Sequence, residues 1–208
     1  EHAIHPAELP ERHTDLVGAT KTQVAEWRNR HGFTVTPPNN DLLDVPPSQT
    51  LKQATATARV RKAWNKLGFS KDGDGNGSLT HIQQQTWPII ARGYDVLAFA
   101  ATGRGKTLAF GAPALEMVYR AATVSYDVTG RSVISTRNAE RHWNPLPISG
   151  RTSALLVVVQ ATKEMVDQII SADLGRLARF LNLKIRAIRN SRDVKTYQGD
   201  HVLVGTPV

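Results

Sequence analysis

The stretch DVLAFAATGRGKT, residues 95–107, constrains the fold more than any other part of the chain. Its first half, DVLAFA (95–100), is a short apolar run between Gly93 and Gly103, the pattern of a buried strand. A helix-compatible run follows, from Lys106 to Val118. Between the two lie Ala100, Ala101, Thr102, Gly103, Arg104, Gly105, Lys106 and Thr107. Small residues at such a bend let backbone N–H groups turn inward around phosphate oxygens, and the new helix adds its positive end at the same spot. Lys106 supplies a mobile cation for terminal phosphates, and Thr107 offers a hydroxyl to a nucleotide-bound Mg²⁺. The general phosphate-loop pattern has glycine where this chain has Ala100. The strand before, the helix after and an intact TG-x-GKT favour phosphate binding over a chance glycine-rich turn.

The rest of the chain supplies the elements that such a loop needs. ALLVVV (154–159), LKIRAI (183–188) and HVLVG (201–205) read as further strands, and Thr162 to Phe180 is helical in period. Apolar strands alternating with helices predict a parallel sheet covered on both faces. Upstream, residues 1–21 have no sustained periodicity and read as an extended arm, and 22–30 suits a short helix. Residues 34–50 carry four prolines and two adjacent Asn, a linker lying over a surface. From 51 to 67, Leu51, Ala54, Ala58, Trp64 and Leu67 fall near one stripe with basic residues opposite, which predicts an amphipathic helix stopped by Gly68. Residues 123–152 are polar and turn-rich, a long surface insertion. The expected organisation is a flank over 1–50 and an α/β domain over 51–208.

Composition narrows the partners. Lys plus Arg number 26 against 18 Asp plus Glu, for a net charge of +8 and a pI near 10. That excess favours a polyanion, nucleic acid first and an acidic membrane surface second, over mere solubility charge. There is no cysteine, which excludes disulfides and Cys-type zinc sites. The seven His are scattered without ligand spacing. No apolar run approaches the ~20 residues of a membrane-spanning helix. The chain starts at Glu1 without Met, as expected after removal of an organellar presequence or in a partial chain.

Two chemistries compete for KDGDGNGSLTHIQQQTWP (71–88). Asp72, Asp74, Asn76 and Gly77 occupy the first, third, fifth and sixth places of an EF-hand loop. The twelfth place, where a bidentate Glu closes the cation cage, is the neutral Gln83. Pro88 also comes too early for an uninterrupted exiting helix. The block at 72–77 is therefore read as a solvated turn, and Trp64 and Trp87 as core.

Taken together, these segments resemble the DEAD-box RNA helicases over nearly the whole chain. IQQQTWPIIARGYDVLAFAATGRGKTLAFGAPAL (82–115) keeps that family's spacing from glutamine to proline, glycine, strand and P-loop, with alanine at 100 and proline again at 113. Gly68 and Phe69, then Leu79, Thr80, Ile82 and Gln83, match its adenine motif, with the acidic block inserted between. ATKEM (161–165) resembles its first RNA-contact motif, and VLVGTPV (202–208) the strand leading to its Thr-Pro-Gly-Arg motif. VAEWRNRHGFTV (24–35) resembles the N-terminal flank of many members.

The resemblance implies a RecA-like P-loop domain, incomplete at its C-terminus, that uses ATP and Mg²⁺. It implies adenine recognition by Gln83 with Phe69, and RNA-backbone contacts from Ala161, Thr162, Lys163, Glu164, Thr206 and Pro207. Partners would be RNA and, for a remodelling factor, a large ribonucleoprotein with protein cofactors, inside the cell and away from membranes. A non-catalytic assembly factor of the same fold is the competing reading, and an unrelated P-loop kinase or GTPase the third. Departures from the pattern are Leu51 for an adenine-stacking aromatic, Leu79, Arg104, Lys163, Arg189 with Asn190, and Val208. The sequence stops before the Asp-Glu-Ala-Asp stretch that supplies carboxylates for hydrolysis. These 208 residues alone are expected not to turn over ATP. The basic run from Arg176 to Lys195 reads equally as a solvated face or an RNA edge.

Overall fold

The computed structural model describes residues 20–30, 32, 34–36, 45–70, 77–123, 125–126, 132–133, 154–195 and 200–207. The arm over 1–19, residues 71–76 with most of the acidic block, most of the 123–152 insertion and Val208 lie outside the described residues. The chain forms two compact units, Glu1–Pro113 and Ala114–Val208.

The first unit is helical. α1 is Lys21–Arg30, α2 is Ala58–Lys66, α3 is His81–Ile90, and α4, Lys106–Thr123, contributes its first turns here. The amphipathic helix expected from Leu51 begins only at Ala58. Thr55 adopts a left-handed φ of 57°, and residues 51–55 close turns through Ala54 N–H to Thr50 O and Ala56 N–H to Leu51 O. Thr57 then caps α2, its hydroxyl accepting from Val60 N–H at 3.3 Å. Leu51 is nevertheless fully buried, as are Val60, Ala63, Trp64 and Trp87. Trp64 meets Phe69 edge-on at 5.3 Å and Trp87 edge-on at 5.8 Å, so α2 and α3 share an aromatic core.

α3 does not stop at Pro88, contrary to the sequence expectation. Proline removes the bond to the carbonyl four residues back, here that of Gln84. The Ser48 N–H donates to that oxygen at 2.8 Å and takes the vacated place. Pro113 does the same inside α4: the carbonyl it leaves, Ala109 O, accepts from the Thr86 hydroxyl at 3.0 Å. Both prolines thus expose an acceptor that a neighbouring segment uses. Arg28 of α1 is buried, donating to Gln85 Oε1 of α3 at 3.0 Å and to Val45 O at 2.8 Å. The 45–48 stretch forms no regular element and is buried against α3, with Val45 and Ile89 in one cluster.

The expected strand at 95–100 is not formed. A strand is a paired object, and none of the described residues forms a ladder with this run. Leu97 is 84% and Phe99 86% exposed.

The second unit holds the sheet. β1 (Ser125–Tyr126) and β2 (Ser132–Val133) form a small antiparallel pair inside the 123–152 insertion. β3 (Leu156–Val159), β4 (Ile185–Ile188) and β5 (Val202–Gly205) are parallel, in the order β3-β5-β4. α5 (Lys163–Ser171) packs on β4 and β5, α6 (Asp173–Phe180) packs on α5 and β4, and α7 (Ser191–Lys195) follows β4. The single helix expected over 162–180 breaks at Ala172, whose ψ of −149° lies outside the helical region. Register places Val158, Val202 and Val204 on one face, all buried. On the other face Val157 is 62% and Val159 60% exposed, so the described residues cover β3 on one side only, where its apolar run predicted two.

Candidate nucleotide site and sheet edge

The loop at 100–107 takes its shape from two left-handed glycines, Gly103 at φ 77° and Gly105 at φ 84°. A side chain is disfavoured at either position. At Gly105 there is also no room: an added Cβ would lie 2.6 Å from Gln83 Nε2 and 3.0 Å from Thr80 Oγ1. Lys106 opens α4 and turns back over the loop, its Nζ donating to Ala100 O at 2.7 Å and Ala101 O at 2.9 Å. Arg104 is exposed, its N–H directed to Ala101 O at 3.4 Å. Thr102 is exposed and Thr107 half-buried in the first turn of α4.

α3 buttresses this loop. Its N3 residue, Gln83, is only 2% exposed. Gln83 Oε1 accepts the Thr80 N–H at 3.0 Å, one arm of a capping box, and Nε2 donates to Gly105 O at 3.2 Å. The Thr80 hydroxyl donates to Arg104 O at 3.1 Å. Gln83 is therefore brought to the loop. The role of Thr80 was legible as T-x-x-Q at 80–83, a helix-start signature that the adenine reading of the glutamine passed over. Phe69 is half-buried and stacks edge-on against Trp64, which leads through Trp87 back to α3.

In the second unit, Ala161, Thr162, Lys163 and Glu164 follow the end of β3, and Thr206 and Pro207 follow the end of β5. The two strand ends are neighbours: Val159 pairs Gly205, and Gln160 N–H donates to Gly205 O at 2.8 Å. All four residues at 161–164 are exposed, as is Pro207, and Thr206 is half-buried. Thr162 caps α5, accepting from Met165 N–H at 3.3 Å. The Glu164 backbone N–H and then the Thr162 hydroxyl hold the Glu164 carboxyl below the usual carboxylate range. Open parallel sheets present this edge, beyond the strand carboxyl ends, to ligands.

Three of the seven basic residues from Arg176 to Lys195 meet a carboxylate. Arg176 pairs with Asp173 at 3.6 Å, Arg186 with Asp200, and Arg189 with Asp167 through Nε at 2.9 Å. Asp167 raises the Arg189 guanidinium above its ordinary value. Among the described residues, no group of His, Asp or Glu has metal-ligand clustering, and no helix is long and apolar enough to cross a membrane.

A parallel sheet with helices, together with a glycine-bent loop opening a helix, defines an α/β protein of the RecA-like class. The crystal structure of the RNA helicase Prp28 from Chaetomium thermophilum bound to ADP superposes with a TM-score of 0.58 at 17% identity, covering 96% of this chain and 40% of that one. The DEAD/DEAH box helicase family model matches residues 80–208, and the chain belongs to that family. It is 28% identical over 166 residues to the pre-mRNA-processing ATP-dependent RNA helicase prp-5 of Neurospora crassa, covering 77% of this chain and 11% of that protein. It is 38% identical over 88 residues to the ATP-dependent RNA helicase HAS1 of Debaryomyces hansenii, covering 42% of this chain and 14% of that protein. The chain thus spans a small part of the length of the relatives it matches.

Proposed function

We propose that this chain is the ATP-binding part of an RNA helicase that remodels RNA or ribonucleoprotein. The observation that carries the reading is Gln83, held against the carbonyl of Gly105 on the helix beside the phosphate loop. An amide has two N–H donors and an acceptor oxygen with two lone pairs. One donor and one lone pair are used within the protein, which leaves a complementary pair for the amino group and a ring nitrogen of adenine. Gly103, Gly105 and the N-terminus of α4 would cradle the phosphates, and Lys106 would exchange its two carbonyl partners for phosphate oxygens. The half-buried Thr107 hydroxyl in the first turn of α4 fits a nucleotide-bound Mg²⁺, which when bound neutralises phosphate charge. Phe69 would lie on the adenine side.

RNA would lie along the edge formed by Ala161, Thr162, Lys163, Glu164, Thr206 and Pro207. Hydroxyls, a cation and a helix start there suit backbone contacts without sequence readout. Splicing is the setting that the names of relatives such as the pre-mRNA-processing helicase support, and ribosome assembly, with a large ribonucleoprotein and protein cofactors inside the cell, is the alternative setting for a remodelling factor of this kind. Residues 1–208 carry no Asp-Glu-Ala-Asp stretch, so we expect binding without turnover from them alone.

A non-catalytic assembly factor of the same fold is the second reading. It is favoured by Arg189, which Asp167 holds in an ion pair after β4, where the family pattern has paired glycines.

Nucleotide preference tests the main reading. Fluorescent ATP and GTP analogues titrated into the chain should show an adenine preference that Gln83→Ala abolishes. Equal binding of GTP by the unmutated chain would remove the reading's main support.

A further inference from the structure

α3 is held from two sides. Gln83 and Thr86 lie three positions apart on one face of the helix. Gln83 Nε2 donates to Gly105 O at 3.2 Å, and the Thr86 hydroxyl reaches Ala109 O at 3.0 Å, on the phosphate loop and the first turn of α4. Gln85 is two positions beyond Gln83, about 200° further round the helix, and so points the other way. There Arg28 of α1 donates through Nε to Gln85 Oε1 at 3.0 Å and through Nη2 to Val45 O at 2.8 Å. Gln85 Nε2 donates to the same Val45 O at 3.3 Å, and the Ser48 N–H holds the carbonyl of Gln84 at 2.8 Å. The flank helix and the 45–48 segment therefore brace α3 opposite the nucleotide loop, all within the first unit.

α1 brings little apolar surface to this contact. Of its ten residues only Val24 and Arg28 are buried, four positions apart and so on one face. Arg28 is 5% and Gln85 6% exposed. Burying a guanidinium is costly unless its donors are met, and an apolar side chain there would be cheaper. What the guanidinium supplies is direction. Two N–H groups of one rigid plane fix Gln85 and the 45–48 segment together, which an aliphatic side chain could not do. Gln83 depends on such placement. Its bond to Gly105 O leaves one donor and one lone pair for a purine, and hydrogen bonds weaken steeply when α3 carries them out of line.

We infer that Arg28 is a positioning residue of the nucleotide site: acting through Gln85, it sets the placement of α3 from which Gln83 meets adenine. The flank helix α1 then belongs to the nucleotide-binding apparatus. The inference rests on the adenine reading of Gln83 proposed above.

The test is a double-mutant cycle on the 208-residue chain. Fluorescent ATP and GTP analogues are titrated at a temperature where circular dichroism shows every variant folded. Arg28→Ala should weaken ATP-analogue binding roughly fivefold and GTP-analogue binding less than about twofold, so the adenine preference shrinks. In a Gln83→Ala background the same substitution should change ATP-analogue affinity by less than about twofold, because the group that Arg28 positions is gone. A residue that only stabilised the fold would weaken both analogues alike and add to the effect of Gln83→Ala. That result, or an unchanged preference in folded Arg28→Ala, would overturn the inference and leave the adenine reading intact. If Arg28→Ala does not fold, Arg28→Lys carries the same cycle, since one ammonium keeps the charge but lacks the fork that spans both acceptors. Arg28→Lys should lose part of the preference, and full retention would again overturn the inference. A chain with no adenine preference before any substitution would overturn both readings.

Discussion

Gln83 Nε2 lies 3.2 Å from the carbonyl of Gly105, so the start of α3 and the turn of the phosphate loop are tied by one side chain. The contact requires that position 105 have no side chain. Gly105→Ala would force a Cβ to 2.6 Å from Gln83 Nε2 at a φ of 84°. The left-handed backbone alone costs about 1–2 kcal/mol for a residue with a Cβ, and the displaced amide adds to it. The expected outcome is a lower unfolding midpoint together with loss of measurable ATP-analogue binding. Gly103→Ala, where no atom lies within 4 Å, should show the backbone cost without the displacement of Gln83.

Gln83→Glu separates the two halves of the amide. The carboxylate can still accept the Thr80 N–H, so the cap of α3 is kept. It presents only acceptors to Gly105 O, which is itself an acceptor. Helix content by circular dichroism should stay near that of the unmutated chain, while adenine nucleotide affinity should fall at least tenfold. Affinity equal to the unmutated chain would show that the donor arm is dispensable.

The elements legible in the sequence were those whose signal is local. TG-x-GKT specifies a bend and a helix start within a few residues, and Trp64 and Trp87 are too large and apolar to leave outside a core. The run DVLAFA was misleading because a strand needs a partner as well as apolar content, and none of the described residues pairs with it. Pro88 misled for a related reason. Its local rule is sound, but the acceptor it vacates is satisfied by Ser48, forty residues away in sequence. The capping role of Gln83 lay open in T-x-x-Q and was obscured because one residue carries two signals.

Thr86 and Pro113 offer a direct test of this long-range satisfaction. Pro113 leaves Ala109 O without its helical donor, and the Thr86 hydroxyl shares its single proton between that oxygen at 3.0 Å and Ile82 O at 2.8 Å. Thr86→Val should cost about 1 kcal/mol, because Ala109 O loses its share of the hydroxyl proton. Pro113→Ala restores an N–H four residues on, so it should recover part of that loss in the Thr86→Val background and gain less alone. A double-mutant cycle in urea should therefore give a coupling energy of roughly 0.5 kcal/mol or more. Additive effects would mean that the two residues do not share this acceptor.

Gly175 sets the closeness of α5 and α6. The chain leaves α5 at Ser171 and enters α6 at Asp173, so Gly175 comes against the carbonyl of Ile170, and a Cβ built there would fall 1.8 Å from that oxygen. The same oxygen accepts from Arg179 Nη1 at 3.1 Å, which fixes it in place. The obstacle is backbone, so it cannot rotate away as a side-chain tip would. In an exposed helix glycine to alanine is favourable by up to about 1 kcal/mol. Here the overlap should reverse the sign and cost about 1–3 kcal/mol, since Leu174 and Leu177 on the same helix are fully buried and must shift with it. Urea denaturation of Gly175→Ala should show a lower midpoint, and Arg179→Ala, which frees only the exposed guanidinium bond, should show a much smaller change. A Gly175→Ala chain as stable as the unmutated one would mean that the α5–α6 junction is looser than this packing requires.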